Sequence, residues 1–465
     1  MVKDSGCNTI LVGGTYEQMD GIVNAASDSA INLNVILSPA WLYMSPNCCL
    51  NIYNRYKTKD IIKAWFVKDE PLYWEWGDVF AGGDHIWNQL TMGYGLLSSI
   101  DPDRLVMFNL CALDYVRDAN GNDDLDKSEG SQEMRKNLMG SCESYAEYLD
   151  VLQKLFDPKV WCYDVYPISY LNADYAKIFA YPVKANTQVE YMRFYKYLSI
   201  FSRKAAETGH PFWAFGMTQA HVSHNETGNV TSGFPAPTEG MLKFEVLSAL
   251  AYGAQGIVYY AFGKIESRKT NGQIIDAFEY GEAPLTWNKN DENNDDKGFT
   301  TTPVYDVVKS VNRLVNFWKD YFLGCRVLTC VHVKTSYSDK PTVTKLACVT
   351  NITVDGDGVL LSWFQNSVKP VGAAEAFTRN YIAIVNHDPF NSQNVTLQTN
   401  PVDNVKLIMT PASSLDEEPK LKFNAGIEGG ISKPTKEMWF LLEPGDMRVI
   451  YWDSETPYGV PEYGD

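Results

Sequence analysis

Short apolar runs alternate with helix-like segments between residues 8 and 262, and this alternation restricts the fold more than any other feature of the chain. The runs are apolar along their whole length, which is typical of strands buried on both faces of a parallel sheet. Strands are predicted at Asn8–Gly14, Asn34–Ser38, Ala64–Val67, Arg104–Leu110, Val160–Asp164, Pro211–Met217 and Gly256–Phe262.

Segments with helical periodicity lie between these strands, such as Tyr145–Phe156, Val189–Thr208 and Met241–Gly253. Strands that alternate with helices over this length predict an α/β fold, a (β/α)8 TIM-type barrel rather than an open sheet. The first strand of an eight-stranded barrel would have to precede Asn8. We therefore expect a barrel whose first strand is missing from this sequence, or an incomplete barrel. The seven predicted strands are accordingly numbered as the second to the eighth barrel strands.

The pattern changes after the last predicted strand. Residues 263–302 form a polar segment that we interpret as a solvated loop, and an amphipathic helix is predicted at Val304–Tyr321. Beyond Gly324 the apolar residues recur with period two between turn residues, which predicts an all-β sandwich. The predicted domains are a barrel at 1–322 and a C-terminal β-sandwich at 323–465.

Composition excludes some classes of partner. The net charge of −17 disfavours nucleic acid and anionic membrane surfaces. No apolar run is long enough to span a bilayer, and Met1–Gly6 lacks the apolar region of a signal peptide. The 12 Trp and 28 Tyr suit a carbohydrate-binding protein, although a large core also uses aromatic residues. Oligomeric state and compartment are not predicted by these features.

Two acids follow one of the buried strands directly. The apolar run Ala64–Val67 is followed by Asp69 and Glu70, and Pro71 ends the strand because it cannot donate to the sheet. Catalytic groups of barrel enzymes collect at the carboxyl ends of the strands. Trp74 lies close by in the sequence, as expected along a sugar-binding cleft. The alternative is a solvated acidic pair in a loop.

Further polar and aromatic residues follow three later strands. A pair of carboxylates beside an aromatic-lined cleft suits glycoside cleavage, because one acid protonates the leaving oxygen while the other attacks or activates water. The alternatives are a structural acid at the end of the sixth barrel strand and simple loop histidines after the seventh, since no spacing of zinc ligands occurs. The candidate residues are Asp164, Tyr166, Gln219, His221, Glu239 and Tyr260.

Four stretches, taken in order, resemble the barrel of clan A glycoside hydrolases and are similar to the family 42 β-galactosidase-like group. They are Lys68–Pro71, Asp164–Ile168, 237–257 and Pro303–Asn312. The resemblance implies a glycosidase barrel with Glu70 as general acid/base and a glutamate nucleophile after the seventh strand. It also implies an extracellular or periplasmic location.

The chain departs from that pattern at the nucleophile. Gln219 stands where the resemblance implies a glutamate, and an amide is a far weaker nucleophile than a carboxylate. Glu239, Glu226 or Asp164 could supply the second carboxylate, or the enzyme could be inverting. The first hypothesis is hydrolysis of a β-linked oligo- or polysaccharide, with Asp69, Trp74, Tyr166, Gln219, His221 and Tyr260 binding substrate.

The second hypothesis is a carbohydrate-binding barrel without catalysis, which Gln219 favours. A structural or assembly role for the sandwich is a third. Measuring the separation of the cleft carboxyl groups would distinguish the first two, because retaining and inverting enzymes keep different spacings.

An acidic stretch after the fifth barrel strand has the spacing of an EF-hand calcium loop, although Asp123 stands where that loop needs glycine. The expectation is a solvated loop and no cofactor, with calcium as the alternative. Its ligands would be Asp118, Asn120, Asn122, Asp124, Asp126 and Glu129.

Overall fold

The structure is a computed structural model. It describes residues 1–39, 45–70, 84–111, 145–170, 187–224, 230–263, 269–270, 273–274, 278–287, 299–334, 345–368, 377–399, 405–408 and 436–454. The helices are α1 (Tyr16–Ala26), α2 (Pro46–Tyr56), α3 (Asp84–Ile100), α4 (Tyr145–Phe156), α5 (Tyr191–Thr208), α6 (Glu239–Ala251) and α7 (Pro303–Phe322).

The first eleven strands belong to the predicted barrel region. They are β1 (Thr9–Gly13), β2 (Asn34–Ser38), β3 (Ile62–Asp69), β4 (Leu105–Cys111), β5 (Trp161–Asp164), β6 (Ile168–Tyr170), β7 (Thr187–Val189), β8 (Phe212–Met217), β9 (His221–His224), β10 (Val230–Phe234) and β11 (Gly256–Tyr260).

The remaining strands are short or belong to the C-terminal sheets. They are β12 (Lys269–Thr270), β13 (Gln273–Ile274), β14 (Phe278–Tyr280), β15 (Leu285–Trp287), β16 (Phe299–Thr301), β17 (Arg326–Val333), β18 (Val349–Val354), β19 (Val359–Val368), β20 (Phe377–Asn386), β21 (Gln393–Thr399), β22 (Lys406–Ile408), β23 (Lys436–Leu442) and β24 (Met447–Ser454).

Seven strands form one sheet in the order β1-β2-β3-β4-β5-β8-β11, and the paired strands from β1 to β8 run parallel. Their order follows the chain, and the helices α1 to α6 fall between successive strands. This alternation confirms the predicted (β/α)8-type fold, with seven parallel strands in the described part of the chain.

Hydroxyl side chains set the starts of several helices. Thr15, Ser45, Thr238 and Thr302 each cap a helix by accepting a backbone N–H of its first turn. Such caps satisfy donors that have no partner inside the helix, and each contributes about 1 kcal/mol. None of the helices in the described ranges is long and apolar enough to cross a membrane.

The chain forms two compact units. One comprises Met1–Val165 with Arg203–Ala214, and the other comprises Tyr166–Ser202 with Phe215–Asp465. Strand β8 begins in the first unit and ends in the second. The division at 322/323 therefore stays a prediction, since the second unit contains β11 as well as the C-terminal strands.

The C-terminal strands form a five-stranded sheet in the order β17-β19-β20-β24-β22 and a three-stranded sheet in the order β18-β21-β23. The pairings within these sheets are antiparallel, and residues of both sheets share one buried core. Trp363 and Ile382 contribute from the larger sheet, and Val395 and Phe440 from the smaller. Two sheets that bury a common core form the predicted β-sandwich.

The interpretation of the histidines after the seventh barrel strand as loop residues was wrong. Strand β9 lies between β10 and β14 in a three-stranded antiparallel sheet, so His221 and His224 lie on a strand. The segment 263–302 likewise contains strands in its described parts. The polar composition concealed these strands because the sheet joins β9 to β14, more than fifty residues later in the chain.

Candidate active site

Strand β3 delivers Asp69 and Glu70 to the carboxyl end of the parallel sheet. The register with β4 shifts between Phe66 and Lys68, so the strand contains a bulge before its acidic end. Bulges re-aim the side chains that follow them and are common beside active sites. The two acids therefore lie at the carboxyl-terminal edge of the sheet, as predicted.

Asn109 on β4 fixes both acids. Its Nδ2 donates to Asp69 Oδ1 at 3.0 Å, and its carbonyl accepts the Glu70 N–H at 3.1 Å. The Asn109 side chain is fully buried, and its Oδ1 has no hydrogen-bond partner in the described part of the chain. Asn109 was absent from the predicted site, although a polar residue inside the apolar run Arg104–Leu110 was a signal for it.

Glu70 has a backbone conformation that glutamate rarely adopts. Its φ is 41°, in the left-handed region that costs a non-glycine residue of the order of 1 kcal/mol or more. Residues persist in this region where the surrounding contacts over-determine them, and such positions concentrate at functional sites. The hydrogen bond from Glu70 N–H to Asn109 is one such contact.

The side chain of Asp164, at the end of β5, is hydrogen-bonded to Glu70. Burial raises the pKa of Asp164 well above its ordinary value, and the charges of Glu70 and Asp69 and the Glu70 hydrogen bond raise it further. A hydrogen bond from Asn109 acts in the opposite direction. Two carboxyl groups in this contact favour sharing one proton, because two adjacent negative charges repel.

The pKa of Asp69 is also raised, chiefly by burial, although part of its surface remains exposed to solvent. The hydrogen bond from Asn109 and the charge of Lys68 oppose that rise. Asp69 is thus held as a hydrogen-bond acceptor beside the Glu70–Asp164 pair. A carboxyl group in that position can accept a hydrogen bond from a hydroxyl group of a bound ligand.

This geometry favours one acid unit over two separate catalytic carboxylates. Retaining glycosidases separate their two carboxyl groups by about 5–5.5 Å and inverting ones by about 6.5–9.5 Å. The hydrogen bond between Glu70 and Asp164 pairs the two carboxyl groups directly instead of placing them on opposite sides of a bound sugar. Asp164 is therefore better suited to hold the proton of Glu70 than to attack the opposite face of a sugar.

In the second unit, backbone hydrogen bonds fix the segment that follows β8. Thr218 N–H donates to the Tyr260 carbonyl at 2.8 Å, and Ala220 N–H donates to the Glu282 carbonyl at 2.9 Å. Between them, Gln219 is completely buried, and neither Nε2 nor Oε1 has a hydrogen-bond partner in the described residues. A buried amide without partners is costly, and such groups in native proteins require an explanation.

His221 packs in a group of aromatic rings. Its ring centroid lies 4.8 Å from that of Phe234, 6.1 Å from Tyr260 and 6.2 Å from Tyr280. Burial lowers the pKa of His221 to about 4, although a hydrogen bond with the Gln219 backbone acts to raise it. The imidazole is therefore neutral at physiological pH. Tyr166 joins the group, 5.8 Å from Phe234 and 6.2 Å from Tyr260. These aromatic contacts bring together the predicted residues Tyr166, His221 and Tyr260.

Glu239 is the first residue of α6, and its Oε1 lies 2.6 Å from Lys243 Nζ in an ion pair. Its proposed role as a second carboxylate stays a prediction, as does that of Glu226, which lies outside the described residues. Trp74 and the calcium-loop segment 118–129 also lie outside them. Within the described ranges, no group of three or more His, Cys, Asp or Glu could hold a metal ion.

No family model matches the chain, and no curated protein matches it. Solved structures that align with it include the family 1 β-glucosidase from Thermotoga maritima, at 8% identity over 68% of this chain and 84% of that one, with a TM-score of 0.43. A β-glucuronidase from an uncultured Clostridium species aligns at 14% identity over 67% of this chain and 45% of its own, with a TM-score of 0.35. Both are distant, and the alignments assign no activity to this chain.

Proposed function

We propose that the protein is a glycoside hydrolase that cleaves a β-linked oligo- or polysaccharide, with Glu70 as the proton donor. One observation carries the proposal. Glu70 and Asp164 form a hydrogen-bonded acid pair at the carboxyl ends of β3 and β5. A proton donor for a glycosidic oxygen must stay protonated near neutral pH, and a pair that shares one proton meets that need.

Each of the two compact units contains residues that suit a sugar. Asp69 offers a carboxylate to a hydroxyl group, and the rings of Tyr166, His221 and Tyr260 are of the kind that packs against the apolar face of a pyranose. The resemblance to family 42 and the extracellular or periplasmic location remain part of this proposal. No cofactor is needed for acid-assisted hydrolysis.

The donor role of Glu70 is tested by comparing leaving groups. Glu70→Gln should lower kcat for a β-linked disaccharide by about 10²–10⁴-fold, because an alkoxide leaving group needs the proton. It should spare a dinitrophenyl glycoside, whose leaving group departs without one. Glu17→Gln on the exposed face of α1 is the matched control and should leave both rates unchanged. Equal losses for both substrates would contradict the donor role.

Asp164→Asn tests the shared proton. An asparagine amide can donate to the Glu70 carboxylate and removes a neighbouring charge, so it should lower the pKa of Glu70. The alkaline limb of the pH dependence of kcat/KM should then move to lower pH. A limb that stays in place would show that Asp164 does not control the Glu70 proton.

Carbohydrate binding without cleavage is the second candidate, and Gln219 favours it. The buried amide offers one donor group and one acceptor to a ligand but no nucleophile. Titration calorimetry and a panel of β-linked substrates distinguish the two functions in the wild-type protein. Micromolar binding with no turnover of any bound sugar would favour the binding function.

A further inference from the structure

Helix α6 contains a carboxyl group that the proposed mechanism does not use. All residues from Met241 to Ala251 are buried, and only Lys243 and Glu245 among them carry ionisable acid or base groups. Lys243 pairs with Glu239, whereas Glu245 is 4% exposed and has no ion pair in the described part of the chain. A buried acid without a cationic partner lowers the stability of the protein, so its presence here requires an explanation.

Glu245 contacts the strand end that leads to Gln219. Its Oε2 accepts the backbone N–H of Met217, the last residue of β8, at 2.8 Å. One turn earlier, Leu242 packs over Gly216, where a side chain would approach it to 3.3 Å. The side of α6 that carries Leu242 and Glu245 therefore lies against the end of β8.

The Glu245 hydrogen bond joins two others that involve backbone N–H groups of the same segment. The N–H of Thr218 donates to the Tyr260 carbonyl, and the N–H of Ala220 donates to the Glu282 carbonyl. Met217 differs because its acceptor is a side chain on a helix instead of a backbone carbonyl. The carboxyl group of Glu245 thus adds a third hydrogen bond to those that fix the segment that carries Gln219.

The surroundings of Glu245 favour its neutral form. Burial raises its pKa to about 8, and the Met217 N–H opposes the rise. The ionisable groups on the adjoining elements have other partners: Lys243 pairs with Glu239, Tyr195 of α5 contacts Ser248, and Tyr259 of β11 donates to Asn312 of α7. From the C-terminal sheet, Cys330 contacts Ala251.

We propose that Glu245 is a positioning residue, which holds the Met217–His221 segment in its ligand-binding conformation through the Met217 N–H. This role rests on the proposed function only in assigning Gln219 and His221 to the sugar site. The hydrogen bond needs an acceptor oxygen on residue 245, which glutamine supplies and leucine does not. Loss of the acceptor frees the strand end and disorders the Gln219 amide.

Hydrogen exchange tests the contact independently of any activity. In Glu245→Leu, peptides that cover Ala214–Val222 should exchange about tenfold faster or more, because the Met217 N–H loses its acceptor. Glu245→Gln should keep wild-type protection. Ser248→Ala, on the same buried helix, is the matched control and should also keep it. Unchanged exchange in Glu245→Leu would overturn the proposal.

Ligand binding provides the second measurement. Glu245→Leu should raise KM, or the Kd of a bound sugar, by about tenfold or more at every pH, since a displaced binding group is costly. Glu245→Gln keeps an acceptor for the Met217 N–H and should retain the wild-type KM or Kd. If the protein turns out to cleave no glycoside, hydrogen exchange and binding still decide this proposal. A Glu245→Gln variant as weak as Glu245→Leu would refute it.

Discussion

The most direct physical consequence of the buried Glu245 is a stability that falls as pH rises. In the unfolded chain this carboxyl group has its ordinary pKa of 4.5, whereas burial raises the folded value to about 8. Between these values the unfolded state has lost the proton while the folded state keeps it. The contribution of Glu245 to stability is therefore complete below about pH 4.5 and is lost progressively as pH rises to about 8.

The size of the effect follows from that difference. Each pH unit in this window is equivalent to about 1.4 kcal/mol, so the full effect has an upper limit of about 5 kcal/mol. Glu245→Gln keeps an acceptor for the Met217 N–H but cannot ionise. The variant should therefore gain stability relative to the wild type by about 1 kcal/mol per pH unit between pH 5 and 8, and the difference should level off above that range.

Urea unfolding of both proteins at half-unit pH steps measures this difference, and subtraction cancels every other titrating group. Circular dichroism and tryptophan fluorescence should be followed together because the chain has two compact units. Two stability curves that run parallel from pH 5 to 9 would refute the reasoning. They would show that Glu245 is hydrated, or has a cationic partner, in solution.

Two further predictions concern the C-terminal half. Gly445→Ala should destabilise the protein by about 3 kcal/mol, because a methyl group there would lie 2.2 Å from the Gly240 carbonyl oxygen. Gly324 has a similar positive φ but open space around it, so Gly324→Ala should cost about 1 kcal/mol. Equal shifts in Tm for the two variants would contradict this prediction. His387, whose Nε2 lies 3.0 Å from His332 Nδ1, has a pKa well below its usual value because of burial. Stability should fall as pH drops below about 6.5, and His387→Gln should reduce that loss in urea titrations at pH 5 and 7.5. An unchanged acid dependence would contradict the neutral state of the pair.

The parallel sheet was predictable because its strands are buried on both faces. A run such as Ala64–Val67 is apolar throughout, so its identity as a buried strand depends on local composition alone. The sheet that contains β9 was missed for the opposite reason. Its strands are short and partly polar, and β14 pairs with β9 from a distant part of the sequence.

The sequence predicted which residues belong to the candidate site but not the contacts between them. The sequence placed Glu70 and Asp164 at the ends of two strands, since the apolar runs stop there. Their hydrogen bond depends on the bulge in β3 and on the left-handed backbone at Glu70, which no pattern of residue types specifies. Glu245 had a signal, an acid inside a largely apolar helix, but its partner is a backbone group that sequence does not identify.

The acid pair of the first unit and Gln219 of the second each limit the chemistry that this chain could perform. A carboxyl pair that shares one proton can protonate a leaving oxygen, and that step does not require a second carboxylate. Completing hydrolysis requires a nucleophile, and an amide that both donates and accepts hydrogen bonds can orient a water molecule or a sugar hydroxyl without attacking carbon itself. If the chain cleaves glycosides, the attack must therefore come from water or from a carboxylate other than the Glu70–Asp164 pair. If it only binds them, the same amide can supply hydrogen bonds to the sugar.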